Sequence, residues 1–183
     1  MQMQTGAAWA CLPCSFAMVV KVPIEQFIKL LGHDGSAKPY PEMPEQVAGF
    51  HEQECIEVLQ HLGFACTPIE IVPQMVPLPG GPVRQIWFPA KNTPIQNTSN
   101  CIEFSKLKGG NRERFYRHIK MTTGVFTGIK HGHRRARPIG HAVAWDGEKV
   151  YDPQGDGLMY PFYNMNDYGF TPHTYWKVQK ING

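Results

Sequence analysis

Residues 140–153 read GHAVAWDGEKVYDP, and this stretch decides the fold of the C-terminal part of the chain. Two alternating apolar and polar runs flank Asp146-Gly147, a dipeptide that strongly favours a two-residue β-hairpin turn. With these two residues at the centre of the turn, the strands pair antiparallel and His141 faces Asp152. Opposed residues hold their Cβ atoms about 4.5–5.5 Å apart, so the carboxylate can accept a hydrogen bond from the imidazole. A slip of one residue would move Asp152 to the other face of the sheet.

The sequence CLPCSFAMVV at 11–20 predicts an apolar helix with Cys11 at its start. Unpaired N–H groups and the positive end of the helix dipole favour an anion at this position. A cysteine there is a candidate nucleophile, because the thiolate is favoured and the same N–H groups can bind an oxyanion. With His141 as the base and Asp152 as the acid that orients it, Cys11 would complete a nucleophilic triad. Without such partners, burial as a small apolar residue is the common role of a free cysteine.

The remaining patterns place helices first and strands last. Pro23 begins a second predicted helix that Gly32 ends, and HEQECIEVLQHLGF at 51–64 predicts a third helix with Ile56, Leu59 and Leu62 on its buried face. The other predicted elements are a strand over 64–72, short strands and loops through the proline-rich middle third, a short helix near 111–120 capped by Asn111, and strands within 121–130, 140–145, 148–152 and 174–181. This order predicts an α+β domain whose N-terminal helix packs on a C-terminal antiparallel sheet.

Length and composition limit the class of protein. The chain has 183 residues and a formal charge of +3, from 18 Lys and Arg against 15 Asp and Glu, which fits one domain over residues 1–183. The first twenty residues lack the basic start of a secretion signal, and no apolar stretch approaches about 18 residues, so we expect a cytoplasmic protein with no membrane segment. Five cysteines are an odd number, which argues against a full disulfide framework and leaves at least one thiol free.

Both ends of the chain resemble one enzyme superfamily. CLPCSFAMVV resembles the Cys-Gly-Pro-x-x-Leu-Ala-Met helix start of the papain-like cysteine peptidases, and GHAVAWDGEKVYDP resembles their His strand, turn and Asp-Pro segment. The similarity is greatest to the branch that includes double-glycine leader peptidases. It implies a papain-like fold in which Cys11 is the nucleophile, His141 the general base and acid, and Asp152 the orienting acid.

The resemblance also implies an oxyanion donor, a glutamine that lies a few residues before the cysteine. Gln4 is the nearest candidate, although its spacing of seven residues is one longer than the usual six. Leu12 stands where the family has glycine, and the hairpin between the histidine and the aspartate is shorter than is typical.

The function that follows from the resemblance is that of a cysteine peptidase-like hydrolase. It would cleave a peptide or amide bond of a peptide or protein substrate through a thioester, and it needs no metal or organic cofactor. Glutamine deamidation, transglutamination and acyl transfer use the same triad and differ in acceptor and pocket. The motif therefore predicts acyl chemistry and leaves these reactions open.

Two alternatives come from the cysteine pair. Trp9-Ala10-Cys11-Leu12-Pro13-Cys14 is also typical of a thioredoxin-like redox site, but that site follows a β-strand, and only ten residues precede Cys11. Zinc binding by Cys11, Cys14, His131 and His133 is the second alternative, but there is no second Cys-x-x-Cys pair. In the triad hypothesis, Cys14 faces the core or flanks the site and is dispensable for the chemistry.

A basic run, KHGHRRAR, spans Lys130 to Arg137 and carries four of the positive charges. In the predicted fold this run borders the cleft beside His141, where it could attract an acidic partner or substrate. The small overall charge argues against nucleic acid as the main partner, and an ordinary solvated loop is the alternative. A binding module with a decayed triad is the remaining non-enzymatic alternative.

Overall fold

A computed structural model describes residues 1–7, 9–36, 49–71, 74–77, 83–86, 101–102, 110–130, 139–154, 156–165 and 167–181. The helices are α1 (Cys11–Val20), α2 (Ile24–Leu31), α3 (Glu52–His61) and α4 (Gly110–Ile119), with a 3-10 helix at Phe162–Asn164. The strands are β1 (Phe64–Ile71), β2 (Gln74–Pro77), β3 (Val83–Ile86), β4 (Cys101–Ile102), β5 (Thr123–Lys130), β6 (Ile139–Trp145), β7 (Lys149–Asp152), β8 (Leu158–Pro161) and β9 (Phe170–Lys180). The predicted α+β class is confirmed.

Seven strands form one sheet in the order β4-β1-β9-β5-β6-β7-β8. Neighbouring strands are antiparallel except β1 and β4, which are parallel. The last strand of the chain, β9, lies in the middle of the sheet between β1 and β5. The sheet therefore joins segments from both halves of the sequence, and β2 and β3 form a separate hairpin.

Helices cover both faces of this sheet. On one face, α1 packs over β5, β6 and β7, and its apolar side chains share a core with Ala142 and Ala144. The other face carries an aromatic core that includes Phe115 of α4, Trp145 and Tyr175. Nine of the ten residues of α1 are buried, which explains why this helix is apolar all round and not amphipathic.

The ends of α1 and α2 follow local rules. Lys21 closes α1 in the left-handed conformation, with φ of 60°. Pro23 precedes α2 as its N-cap, and Gly32 ends it with φ of 80°, a conformation in which glycine avoids the Cβ penalty. The predicted end of α2 is therefore confirmed, and the helix starts one residue later than predicted, because Pro23 is extended and lies before its first turn.

Two local predictions need correction, and one strand was not predicted. The buried face of α3 is formed by Cys55, Val58 and Leu59, while Ile56 and Leu62 are only half-buried, because the helix turns residues 55, 58 and 59 toward the core and not 56, 59 and 62. Helix α4 begins at Gly110, so Asn111 lies inside the helix and does not cap it. Strand β8 was missed because LMYP is short and lacks clear alternation.

The register of the β6–β7 hairpin differs by two residues from the prediction. Trp145 pairs with Val150, and continuing this register places Asp152 opposite Val143 and not opposite His141. The cause is the Asp146 side chain, whose Oδ1 accepts hydrogen bonds from the N–H groups of Glu148 (2.9 Å) and Lys149 (2.8 Å). Gly147 and Glu148 thereby become the central turn residues, with Gly147 at φ of 102°.

A shift of two residues keeps the side chains on the same face of a strand. His141 and Asp152 are thus diagonal neighbours on one face, still within reach of long side chains. The prediction that His141 lies directly opposite Asp152 is wrong. The two side chains still meet, because a register shift of two residues leaves both on the same face of the sheet.

No single helix in the described part of the chain is long and apolar enough to cross a membrane. Helices α1 and α2 reach that length only as a pair, and a bend of 115° separates them.

Candidate active site

His141 and Asp152 form a buried pair at the ends of β6 and β7. The imidazole Nε2 donates a hydrogen bond to Oδ1 of Asp152 over 2.8 Å. Asp152 is fully buried, and His141 is 6% exposed. The backbone N–H of Gln154 donates to the same carboxylate oxygen over 3.0 Å, and the ring of Phe170 packs against the imidazole at 5.7 Å between centroids. The imidazole is thereby held in one orientation.

Cys11 comes to the same imidazole from the start of α1. Its thiol lies close enough to the ring of His141 to contribute to the raised pKa of the imidazole, and Cys11 is half-buried. Because Nε2 is bound to Asp152, Nδ1 is the ring nitrogen that remains for the sulfur. The structure therefore brings together Cys11, His141 and Asp152, which we call the candidate triad.

The charges in the candidate triad reinforce one another. Burial by itself would lower the pKa of His141, but hydrogen bonds and negative charge from Asp152 and Cys11 overcome that effect and raise the pKa to about 9. Burial would likewise raise the pKa of Asp152, yet hydrogen bonds and positive charge from His141 and Lys130 hold it below its ordinary value. Near neutral pH the structure thus favours an imidazolium beside an ionised carboxylate.

Lys130 is a fourth member of this cluster, and the sequence did not predict its role. Its ammonium group pairs with Oδ2 of Asp152, while Oδ1 is taken by His141 and Gln154. Lys130 lies at the end of β5, where the sequence suggested only the first residue of an exposed basic run. The pairing depends on the strand order β5-β6-β7, which no local pattern indicates.

The rest of that basic run, residues 131–137, lies outside the described residues. The prediction of an acidic partner at Lys130 to Arg137 therefore stays a prediction for that segment. For Lys130 itself the structure gives a different surrounding, because its side chain is only 14% exposed and faces a carboxylate of the same chain.

Gln4 does not come to Cys11. Its side-chain Nε2 donates to the carbonyl of Val22 over 2.9 Å, and its Oε1 accepts from the N–H of Ile24 over 2.6 Å. Both atoms serve the connection between α1 and α2, at the opposite end of α1 from Cys11. The physical reason is that the first N–H groups of α2 need an acceptor, and Gln4 supplies one.

Backbone groups are the better candidates for binding an oxyanion. The first N–H groups of a helix have no acceptor within it, and Pro13 has no N–H at all. The N–H of Cys14 already bonds to the carbonyl of Ala10 over 3.0 Å, and Ala10 provides no side-chain cap. The N–H groups of Cys11 and Leu12 also lie in this first turn, where the helix itself supplies no acceptor.

Burial raises the pKa of three other thiols, those of Cys14, Cys55 and Cys66. Cys14 is fully buried, and burial together with the charges of Cys11 and Glu25 raises the pKa of its thiol to about 12. Burial also raises the pKa of Cys55 and brings that of Cys66 to about 12. Cys14 was predicted either to face the core or to flank the site, and the structure shows that it faces the core. Its thiol is poorly suited to act as a thiolate.

The two alternatives drawn from the cysteine pair gain no support from the described residues. No strand precedes α1 within residues 1–7 and 9–10, whereas a thioredoxin-like motif follows a strand. Among the described residues no three His, Cys, Asp or Glu side chains are grouped as metal ligands. His131 and His133, which the zinc hypothesis requires, lie outside them.

No known family model matches this chain, and no curated protein is significantly similar to it.

Proposed function

We propose that this protein is a cysteine-dependent acyl-transfer enzyme that hydrolyses a peptide or amide bond in a peptide or protein substrate. The observation that carries the proposal is the buried His141–Asp152 pair with the thiol of Cys11 close to the imidazole. A nucleophile, a base and a group that orients the base are the three parts that this chemistry needs.

We further propose that the arrangement is papain-like. In support, the nucleophile stands at the start of an N-terminal helix, and the base and its acid lie on neighbouring strands of a mainly antiparallel sheet against which that helix packs. The sulfur and the imidazole come from opposite ends of the chain.

In the proposed reaction His141 takes the proton of the Cys11 thiol, which leaves a thiolate beside an imidazolium. The thiolate attacks the carbonyl carbon, a C–S bond forms, and the N–H groups of Cys11 and Leu12 stabilise the oxyanion. His141 then gives its proton to the leaving amine as the C–N bond breaks, which leaves a thioester. Neutral His141 next takes a proton from water, the resulting hydroxide attacks the thioester, and the acid product leaves as the thiolate returns.

Asp152 has no direct part in these bond changes. It keeps the proton of His141 on the correct nitrogen and stabilises the imidazolium. Deamidation, transglutamination and acyl transfer would follow the same first half and differ in the group released or the acceptor that resolves the thioester.

The test is thiol alkylation across pH on the wild type and on Cys11→Ser, Cys14→Ser and His141→Ala. We expect one fast-reacting thiol, lost in Cys11→Ser, retained in Cys14→Ser and strongly slowed in His141→Ala. Cys14→Ser is the matched control, because it removes a thiol one turn away on the same helix. Equal reactivity of Cys11 and Cys14 with a reversible disulfide between them would contradict the proposal and support redox chemistry.

Activity itself is tested with peptide, glutamine-amide and isopeptide substrates, followed by mass spectrometry of the protein after an acid quench. We expect an acyl group on the peptide that contains Cys11, and its removal by hydroxylamine as a thioester requires. Substrate turnover that persists in Cys11→Ser would overturn the proposed mechanism.

A further inference from the structure

The strand order brings a cation to the far side of the candidate triad. Lys130 leaves β5, and its ammonium reaches Oδ2 of Asp152 on β7, although β6 lies between these strands. Two strand spacings amount to about 9.6 Å, so the lysine side chain has to extend across β6 on the face that carries His141. Its side chain is 14% exposed, and the carboxylate that it meets is fully buried.

This contact divides the two oxygens of Asp152 between different partners. Oδ1 accepts from His141 and from the N–H of Gln154, and Oδ2 is held by Lys130. A buried carboxylate with one strong partner on each oxygen cannot rotate without losing one of them. Lys130 also places a positive charge close to the imidazolium, which opposes protonation of His141.

We propose that Lys130 is a positioning residue of the site, which holds Oδ2 of Asp152 so that Oδ1 faces His141 and which offsets part of the carboxylate charge that His141 experiences. The relevance of this inference to catalysis rests on the proposed function, whereas the effect of Lys130 on Asp152 and His141 does not depend on it. Among the described residues, the titratable side chains that face the His141–Asp152 pair are those of Cys11 from α1, Lys130 from β5 and Tyr160 from β8. Phe170 from β9 contributes an uncharged ring.

The sign of the effect follows from the charges. Removal of the ammonium takes away a repulsion on the imidazolium and leaves the full carboxylate charge to His141. Protonated His141 becomes more stable, so the midpoint of its titration moves to higher pH. Charges a few ångströms apart interact appreciably even at the effective dielectric constant of a protein, and partial compensation by solvent leaves an expected shift of about one pH unit.

The experiment is an NMR titration of the His141 ring in a Cys11→Ser background, in which the sulfur no longer contributes. Lys130→Met keeps the apolar stem and removes the charge, and we expect its His141 midpoint to rise by about one pH unit. Lys130→Arg restores the cation and is expected to return the midpoint to that of the background. Lys149→Met is the matched control, since Lys149 is an exposed lysine on β7, and it should leave the midpoint unchanged.

An unchanged or lowered midpoint in Lys130→Met would overturn the inference, as would failure of Lys130→Arg to restore it. If Lys130→Met does not fold, Lys130→Gln offers a neutral donor to Oδ2 and gives the same test. The proposed function has a separate readout, the dependence of Cys11 alkylation on His141 in the otherwise unchanged protein. Loss of that dependence would refute the function without altering the His141 midpoints from which Lys130 is judged.

Discussion

Replacement of Asp152 by asparagine tests the centre of the site. Asparagine has nearly the same shape but no charge, and only one of its two terminal atoms accepts hydrogen bonds, whereas the carboxylate accepts from His141, Lys130 and the N–H of Gln154. Lys130 can only donate, so the amide oxygen should turn to Lys130 and the amide N–H₂ to Nε2 of His141. The imidazole then keeps its proton on Nδ1, the nitrogen that the structure leaves for Cys11, and it can no longer accept a proton from the thiol.

The size of the effect follows from the charge balance. The pKa of His141 is about 9 and depends on hydrogen bonding and charge from Asp152. If Asp152→Asn returns the pKa to 6.5 or below, the protonated share of His141 at about pH 7.5 falls from nearly all to about one tenth. We expect Cys11 alkylation to slow by about tenfold. Substrate turnover should fall much further, by up to about 10⁴, because the base also holds the wrong tautomer.

The assay is the pH profile of Cys11 alkylation, combined with turnover of whichever substrate the wild type cleaves. Asp146→Asn is the matched control, because it makes the same chemical change in the same hairpin and keeps the oxygen that accepts from Glu148 and Lys149. Removal of one partner from a buried ion pair can destabilise a protein by about 3–5 kcal/mol, so circular dichroism must show a folded variant. A folded Asp152→Asn protein with the wild-type alkylation profile would refute the reasoning.

Three further predictions concern the same region. Because folded His141 holds its proton up to about pH 9, against 6.5 for the ordinary group, its contribution to stability is full below pH 6.5 and lost as pH rises through 9. Between these pH values the free energy of unfolding should fall by about 3 kcal/mol in the wild type and stay nearly constant in His141→Gln, as denaturant midpoints measured across pH can show. The same pH dependence in both proteins would contradict this prediction. Gly128 pairs with His141 across β5 and β6, and a Cβ on Gly128 would lie 2.1 Å from the carbonyl oxygen of Thr171. Gly128→Ala should therefore destabilise the folded protein by about 3 kcal/mol. Gly140→Ala is the control, because a Cβ there would have no atom within 4 Å, and its melting temperature should equal that of the wild type. A similar loss of stability in both variants would contradict the prediction. In the folded protein Cys11 should be alkylated while the buried Cys14 and Cys55 react only after unfolding, as mass spectrometry of the labelled peptides can show; fast labelling of Cys14 would argue against its burial.

Much of the secondary structure was predictable because its signals are local. Helix α2 lies between Pro23 and Gly32, and glycine takes the positive φ that ends the helix. The β6–β7 hairpin was expected from its alternation and its turn residues. Its register was not, because the Asp146 carboxylate accepts two backbone N–H groups and moves the centre of the turn by one residue.

The role of Gln4 was not predictable, because the same side chain could form hydrogen bonds in either of two places. A glutamine shortly before a helix can serve the start of that helix or a more distant group. In this protein the N–H of Ile24 and the carbonyl of Val22 occupy both of its polar atoms. Which contact forms depends on the path of residues 1–7 along α1, and side-chain chemistry alone does not determine that path.

Local sequence patterns account for the α+β class, the helix that begins at Cys11 and the placement of His141 and Asp152 on one face of a hairpin. These features depend on periodicity and turn chemistry within about a dozen neighbouring residues. Long-range packing, by contrast, places β9 in the middle of the sheet, Gln4 at the start of α2 and Lys130 across a strand against Asp152. Such contacts join segments distant in sequence, and they form only where strand order and packing bring the polar groups within hydrogen-bonding distance.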